Sequence, residues 1–275
     1  MILRIIRLIV VIYVCAALWM WLRQEHYLFL PKHYDVLPEF ERYRWDRTIS
    51  GFKHQGWFLD KGKEKTVIYH GGNAEDLAGH CEVMMDGMDA NVLLVNYRGY
   101  GQSEGKPGEK EMVADAIAIF DLFCAEKNFS PSNIVLMGRS LGSGVAIQVA
   151  AARTQAAGLI LVTPYESIAA VAKIQYPWLP IERMLRHPFR AVDIAPQIKM
   201  PALVLLAEFD DVIPIETGRK LGAALGGPKE IVTLPMGHND INEHPGYFGA
   251  INSFVNRQGR FAETSAAGSE SPALP

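Results

Sequence analysis

Residues 138–142 read GRSLG, between the apolar run NIVLM and the small-residue stretch SGVAIQVAAA. A serine between two glycines, where a strand gives way to a helix, is the pattern of a nucleophile elbow. Gly138 and Gly142 lack the side chains that would clash in so sharp a turn. Ser140 would then project its hydroxyl above the sheet, and the next residue, Leu141, could offer its backbone N–H to an oxyanion. The alternative is a glycine-rich turn that only lets strand and helix approach.

A serine hydroxyl needs a base, and the base needs an acid to orient it. His238 in LPMGHND follows an apolar run and a glycine. The chain has eight histidines. His70 is discounted because it ends a strand beside the expected oxyanion loop, and His244 because it falls at the last helix. EFDDVIP offers Asp210 and Asp211, with Glu208 as a third choice. Asp210 is preferred, and Asp211 reads as a solvated loop carboxylate or helix cap. HGGNAED supplies a second glycine-rich loop, in which Asn73 is the candidate for the other oxyanion N–H, with Gly72 behind it. An ordinary glycine turn is the alternative there.

The elements that must position these groups can be read from the hydropathy pattern. TVIYH (66–70), NVLLVNY (91–97), NIVLMG (133–138), GLILVT (158–163), ALVLLA (202–207) and EIVTLP (230–235) are near-continuous apolar runs. Strands buried on both faces of a parallel sheet look like this. Helical stretches fall between and after them, at 74–88, 110–126, 141–153, 215–225 and 245–257. The alternation predicts an α/β fold with a doubly wound, mostly parallel sheet and helices on both faces. YRWDRTISGFKHQGWFLD, upstream, reads as an antiparallel hairpin at the sheet edge. Residues 164–200 are too long for a plain crossover and read as a short cap insertion. The candidate residues follow the first, third, fifth and sixth strands, and ligands of such a sheet bind beyond the strands' carboxyl ends. Their order, Ser140–Asp210–His238, is one of three known for this constellation.

Taken together, HGGNAEDL, VNYRGYGQSEG, GRSLGSGVA, TPYES, YPWLP, LAEFDDVIP and GHND resemble the α/β-hydrolase superfamily over residues 40 to 258. The likeness is to its small, lidless, N-terminally membrane-anchored serine hydrolases. It implies Ser140 as nucleophile, Asp210 as acid, His238 as base, and Asn73 with Leu141 as the oxyanion hole. Two positions depart from the pattern. Gly71 stands where relatives carry histidine before GNA, and Asn96 stands where they often carry Asp before YRG.

Residues 8–22, LIVVIYVCAALWMWL, carry no charge, and with Ile5–Arg7 they approach a bilayer-spanning length. Trp19, Trp21 and Tyr27 suit an interfacial belt. The run ends in Trp-Met-Trp-Leu-Arg, without the small residues of a signal-peptide cleavage site. The expected organisation is a membrane anchor over 1–30, an α/β-hydrolase domain over 31–262 and a disordered tail over 263–275. Arg4 and Arg7 favour a cytoplasmic N-terminus with the domain outside, a bias weakened by Arg23 and Lys32.

With 49% hydrophobic and 21% charged residues and a net charge of −3, the chain has a sizeable core and no basic patch for nucleic acid. Cys15, Cys81 and Cys124 show neither metal-ligand nor paired spacing, so free thiols are expected. No metal or cofactor is called for. The expected reaction is hydrolysis of a carboxylic ester or thioester, with a small-molecule or lipid acyl substrate. A peptidase or amidase, an acyltransferase on the same residues, and an idle tethered scaffold are the rival readings. Tyr176, Trp178, Leu179, Met184, Leu185 and Phe189 are candidates to line an apolar acyl pocket or, equally, to cover the sheet.

Overall fold

The computed structural model describes residues 1–258. The expected tail, 263–275, and the last residues of the expected domain, 259–262, lie outside them. Among the described residues a 27-residue helix, α1 (Ile2–Leu28), precedes nine strands and eight further α-helices.

The central sheet is built from β3 (Gly56–Leu59), β4 (Thr66–His70), β5 (Asn91–Val95), β6 (Ile134–Arg139), β7 (Gly158–Val162), β8 (Ala202–Ala207) and β9 (Lys229–Leu234). Their order is β3-β5-β4-β6-β7-β8-β9. β3 runs antiparallel to β5, and every other neighbouring pair is parallel. Because side chains alternate along a strand, the sheet needs two cores. Ile68, Leu93, Leu136, Leu161 and Val204 point into one, which α3 (Glu109–Lys127), α4 (Leu141–Ala152) and α8 (Ile215–Ala224) cover. Val67, Leu94, Val135, Ile160 and Leu205 point into the other, covered by α2 (Cys81–Gly87) and α9 (Gly246–Arg257). This double burial is why the strands read as unbroken apolar runs.

Two expectations need correction. The upstream hairpin, β1 (Arg47–Ile49) with β2 (Phe52–His54), forms a two-stranded sheet of its own. The element at the edge of the main sheet is β3. Helix α2 is also shorter than 74–88. Residues Leu77–His80 wind as a 3-10 turn, because Asp76 accepts the Ala78 N–H at 3.1 Å and fixes the start there.

Between β7 and β8 lies the cap: α5 (Ile168–Gln175), α6 (Ile181–Met184) and α7 (Ala191–Ile194). Ser167 caps α5 by accepting the Ala170 N–H at 3.0 Å. Helix α1 is long and apolar enough to cross a membrane. Its last turns dock on the cap, with Ala17 and Met20 against Ala169, Leu179 and Ile181. The three cysteines are free; Cys15 is exposed and Cys81 is buried. Burial pushes the Cys81 thiol up to about 12, which makes it an unreactive core residue.

Candidate active site

Strand β6 ends at Arg139 and α4 begins at Leu141, so Ser140 alone makes the turn between them. Its φ is 49° and its ψ −119°, a conformation that non-glycine residues rarely adopt. The backbone is held there on both sides. Ser140 N–H donates to the Val162 carbonyl at 2.9 Å, and the Ser140 carbonyl accepts from the Ser143 N–H and hydroxyl at 2.9 and 2.7 Å. The flanking glycines are required by close approach. A Cβ on Gly138 would lie 2.3 Å from the Gly142 carbonyl oxygen, and one on Gly142 would lie 2.0 Å from the His70 carbonyl oxygen.

The other two residues arrive from the ends of β8 and β9. Asp210 is fixed by the chain that follows it, since one carboxylate oxygen accepts the Val212 and Ile213 N–H groups at 3.0 and 2.7 Å. Its second oxygen lies 2.8 Å from His238 Nδ1. On the other side of the ring, His238 Nε2 lies 3.0 Å from Ser140 Oγ. A carboxylate against Nδ1 requires the proton on that nitrogen, leaving the Nε2 lone pair free to accept the serine proton. The structure therefore brings Ser140, His238 and Asp210 into one line. Asp211 and Glu208 are exposed, and neither is paired with His238. His70 is buried in the strand end, and burial pulls its pKa down to about 4.

The HGGNAED loop abuts the start of α4, as the contact between Gly142 and His70 shows. Within it the Gly72 N–H is already taken, donating to Glu75 Oε2 at 2.8 Å. Among the described residues the backbone N–H groups of Asn73 and Leu141 have no such protein acceptor. The Asn73 side chain does something the sequence did not reveal. Its Oδ1 accepts the Leu30 N–H and the Tyr100 hydroxyl, both at 2.9 Å, and its Nδ2 donates to the Leu28 carbonyl at 2.8 Å. The loop is thereby tied to the end of α1.

Two charged residues beside the site were also missed. Arg139 fills the variable position of GRSLG, and Glu75 lies in HGGNAED. They form an ion pair whose side chains are only 12% and 11% exposed. Arg139 donates to the His238 carbonyl at 3.0 Å, while Glu75 accepts from Gly72 N–H and from the Tyr69 hydroxyl at 3.0 Å. One buried pair thus joins the loop of the candidate base to the loop of the candidate oxyanion donor. Burial beside Glu75 holds the Tyr69 pKa well above its ordinary value, so its hydroxyl stays a donor.

Asn96, the departure from Asp, has a local cause. Its Nδ2 donates to the buried Asp76 carboxylate at 2.6 Å and to Gln55 Oε1 at 3.0 Å, and its Oδ1 accepts the Leu77 N–H at 2.9 Å. Only an amide can do both.

Comparison with known proteins agrees with this architecture. A family described as serine aminopeptidase, S33, matches residues 61–187. An uncharacterized protein of Mycobacterium tuberculosis (strain ATCC 25618 / H37Rv) is 35% identical over 217 residues, covering 77% of this chain and 74% of that one. The chain belongs to the α/β-hydrolase family. Alpha/beta hydrolase domain-containing protein 17C of Xenopus tropicalis is 28% identical over 232 residues, 81% of this hydrolase and 72% of its relative. Among solved structures, the Pyrococcus furiosus esterase Pf2001 superposes with a TM-score of 0.68 at 19% identity, over 84% of this chain and 98% of that one. That likeness is one of fold.

Proposed function

We propose that this α/β-hydrolase is a serine acyl hydrolase that cleaves carboxylic esters or thioesters through an acyl-enzyme. The observation that carries the reading is the line from Ser140 Oγ through His238 to Asp210, with contacts of 3.0 and 2.8 Å. Ser140 Oγ attacks the acyl carbonyl carbon while His238 Nε2 takes the hydroxyl proton. Asp210, held by two backbone N–H groups, stabilises the imidazolium without taking a proton itself. The carbonyl oxygen, now negative, accepts from the Asn73 and Leu141 N–H groups, which are fixed before the reaction and cost no reorganisation. The carbonyl re-forms, the bond to the leaving oxygen or sulfur breaks, and His238 returns its proton to that atom. Water then repeats the sequence, releasing the acid and regenerating the Ser140 hydroxyl.

Amide cleavage would need the same residues, and the serine aminopeptidase description of the matching family raises it. An aminopeptidase must bind an α-ammonium group. The apolar cavity between α1 and the cap has no carboxylate in its lining, which favours an acyl chain over an amino terminus.

The site belongs at a membrane, with α1 as the anchor and the catalytic domain on the non-cytoplasmic side. The first test is labelling of the full chain with a fluorophosphonate in detergent, beside Ser140→Ala and His238→Ala. Labelling and p-nitrophenyl ester hydrolysis fall about a thousandfold or more in both variants if the reading holds. Equal activity in Ser140→Ala overturns it. Accessibility of a cysteine introduced in the domain to an impermeant reagent, in intact cells, tests the sidedness.

A further inference from the structure

A cavity of about 190 Å³ lies between the end of α1 and the cap. Helix α1 supplies Met20, Trp21, Gln24, Tyr27 and Leu28, which share one face of the helix. The opposite wall comes from α5, α6 and the turn between them, with Val171, Ala172, Leu179 and Met184 among its residues. Of the six acyl-pocket candidates, Tyr176, Leu179, Met184 and Leu185 line this space. Phe189 is fully buried in the core, and Trp178 lies on the outer surface of the cap, 49% exposed. Neither lines the cavity.

Three observations make this more than a gap between loosely placed elements. First, α1 is latched to the cap by polar contacts. The buried Gln24 donates to the Met184 carbonyl at 3.2 Å and accepts the Arg186 N–H at 2.7 Å, and the Tyr13 hydroxyl donates to the Trp178 carbonyl at 3.0 Å. Second, one lining residue ties the cavity wall to the loop of the candidate oxyanion donor. That residue is Leu28, whose carbonyl accepts from the Asn73 side chain. Third, the cap and helix surfaces beside it are apolar and open, with Ile174, Trp178, Trp19 and Leu22 all exposed. Large apolar surface left uncovered suits contact with hydrocarbon.

We propose that this cleft binds the acyl chain of a membrane-resident ester or thioester, and that α1 is a wall of the substrate site as well as the anchor. The proposal rests on the acyl-hydrolase reading above. The chain enters sideways from the bilayer, its methyl end among the cap residues and its carbonyl at the Asn73 loop. An apolar cavity of ~150 Å³ takes up a six-carbon ring, so this one suits a chain of about eight carbons.

The test uses the full chain in phospholipid nanodiscs with p-nitrophenyl esters from acetyl to palmitoyl. In the native protein kcat/KM should rise about fourfold per methylene and level off near octanoyl. Ala172→Phe, filling the cavity from the cap, and Met20→Trp, filling it from α1, should each lower the octanoyl-to-acetyl ratio of kcat/KM more than tenfold. Leu18→Trp, on the outward face of α1, should leave the ratio unchanged. Fluorophosphonate labelling of Ser140 in every variant shows that fold and catalysis survive. If labelling and acetyl hydrolysis persist while neither filling variant moves the ratio, the acyl-site proposal is overturned and the hydrolase reading stands. If only Ala172→Phe moves it, the cap binds the chain and α1 is not a wall. If Ser140 is not labelled in the native protein, the hydrolase reading falls and takes this proposal with it.

Discussion

Replacing Glu75 by Gln tests whether the buried Glu75–Arg139 pair sets the geometry of the candidate site. Glu75 accepts from three groups at once: Arg139, the Gly72 N–H and the Tyr69 hydroxyl. A carboxamide has one acceptor oxygen and must turn its NH2 toward one side. Either way the buried guanidinium loses its counter-charge; turned toward Arg139, the NH2 also opposes it donor against donor, at a cost of about 3–5 kcal/mol. Turned toward Gly72, its oxygen still accepts from Arg139 as a neutral group, and the NH2 opposes a buried N–H with another donor, at a cost of about 1–3 kcal/mol beyond the weakened pair. The second arrangement is the cheaper, so the expected loss of unfolding free energy is about 3 kcal/mol. That arrangement pushes on Gly72, whose neighbour Asn73 carries the candidate oxyanion N–H. Small displacements of such groups cost up to about a hundredfold in rate. The variant should therefore lose ten- to a hundredfold in kcat with KM nearly unchanged, about 1.4 to 2.7 kcal/mol of transition-state stabilisation. The assays are guanidinium unfolding of the full chain in detergent and hydrolysis of a short p-nitrophenyl ester. A Glu75→Gln protein within 0.5 kcal/mol of the native stability, with kcat within twofold, would refute the argument.

Gly142→Ala should lose about 3 kcal/mol or more and nearly all fluorophosphonate labelling, because the new methyl meets the His70 carbonyl and both segments are backbone. Asn96→Asp should cost about 3–5 kcal/mol at pH 7 by setting a second carboxylate against the buried Asp76. Part of that loss should return in unfolding experiments at lower pH, as the new carboxyl, raised in the folded state, takes up a proton. His70 contributes a separate acid sensitivity. Its pKa is about 4 when folded and near 6.5 when unfolded, so the unfolded chain gains a proton first. That contribution is intact above pH 6.5 and lost as pH falls to 4, by about 3 kcal/mol. His70→Gln should flatten that part of the stability profile measured by chemical unfolding.

The sheet was legible because its strands are buried on both faces, so each reads as a continuous apolar run closed by a turn. GRSLG, EFDDVIP and GHND could be found because each follows such a run. The structure places Ser140, Asp210 and His238 in one line of contacts, and whether they perform catalysis is what the labelling tests. The hairpin misled because β2 and β3 are separated by one residue in sequence yet belong to different sheets. Helix α2 misled because its start is set by Asp76, a cap that propensity does not reveal. Arg139 and Glu75 were passed over because a charge beside a glycine turn looks solvated until its partner is known. The face of α1 that meets the cap was hidden by composition, since the helix is apolar all round and shows no stripe.

The segment leaving α1 has no slack. Asn73 holds both Leu28 and Leu30, Gly101 N–H donates to the Lys32 carbonyl at 3.0 Å, and Asp76 accepts the Tyr34 N–H at 2.7 Å. A flexible tether would let a catalytic domain sweep a hemisphere and reach a facing membrane. This joint forbids it. Under the acyl-hydrolase proposal, with α1 set in a bilayer, the domain would work at one fixed height, on scissile bonds that lie at that depth in its own leaflet. Its turnover would follow the mole fraction of substrate in the surface and stay constant when the same vesicles are diluted in buffer.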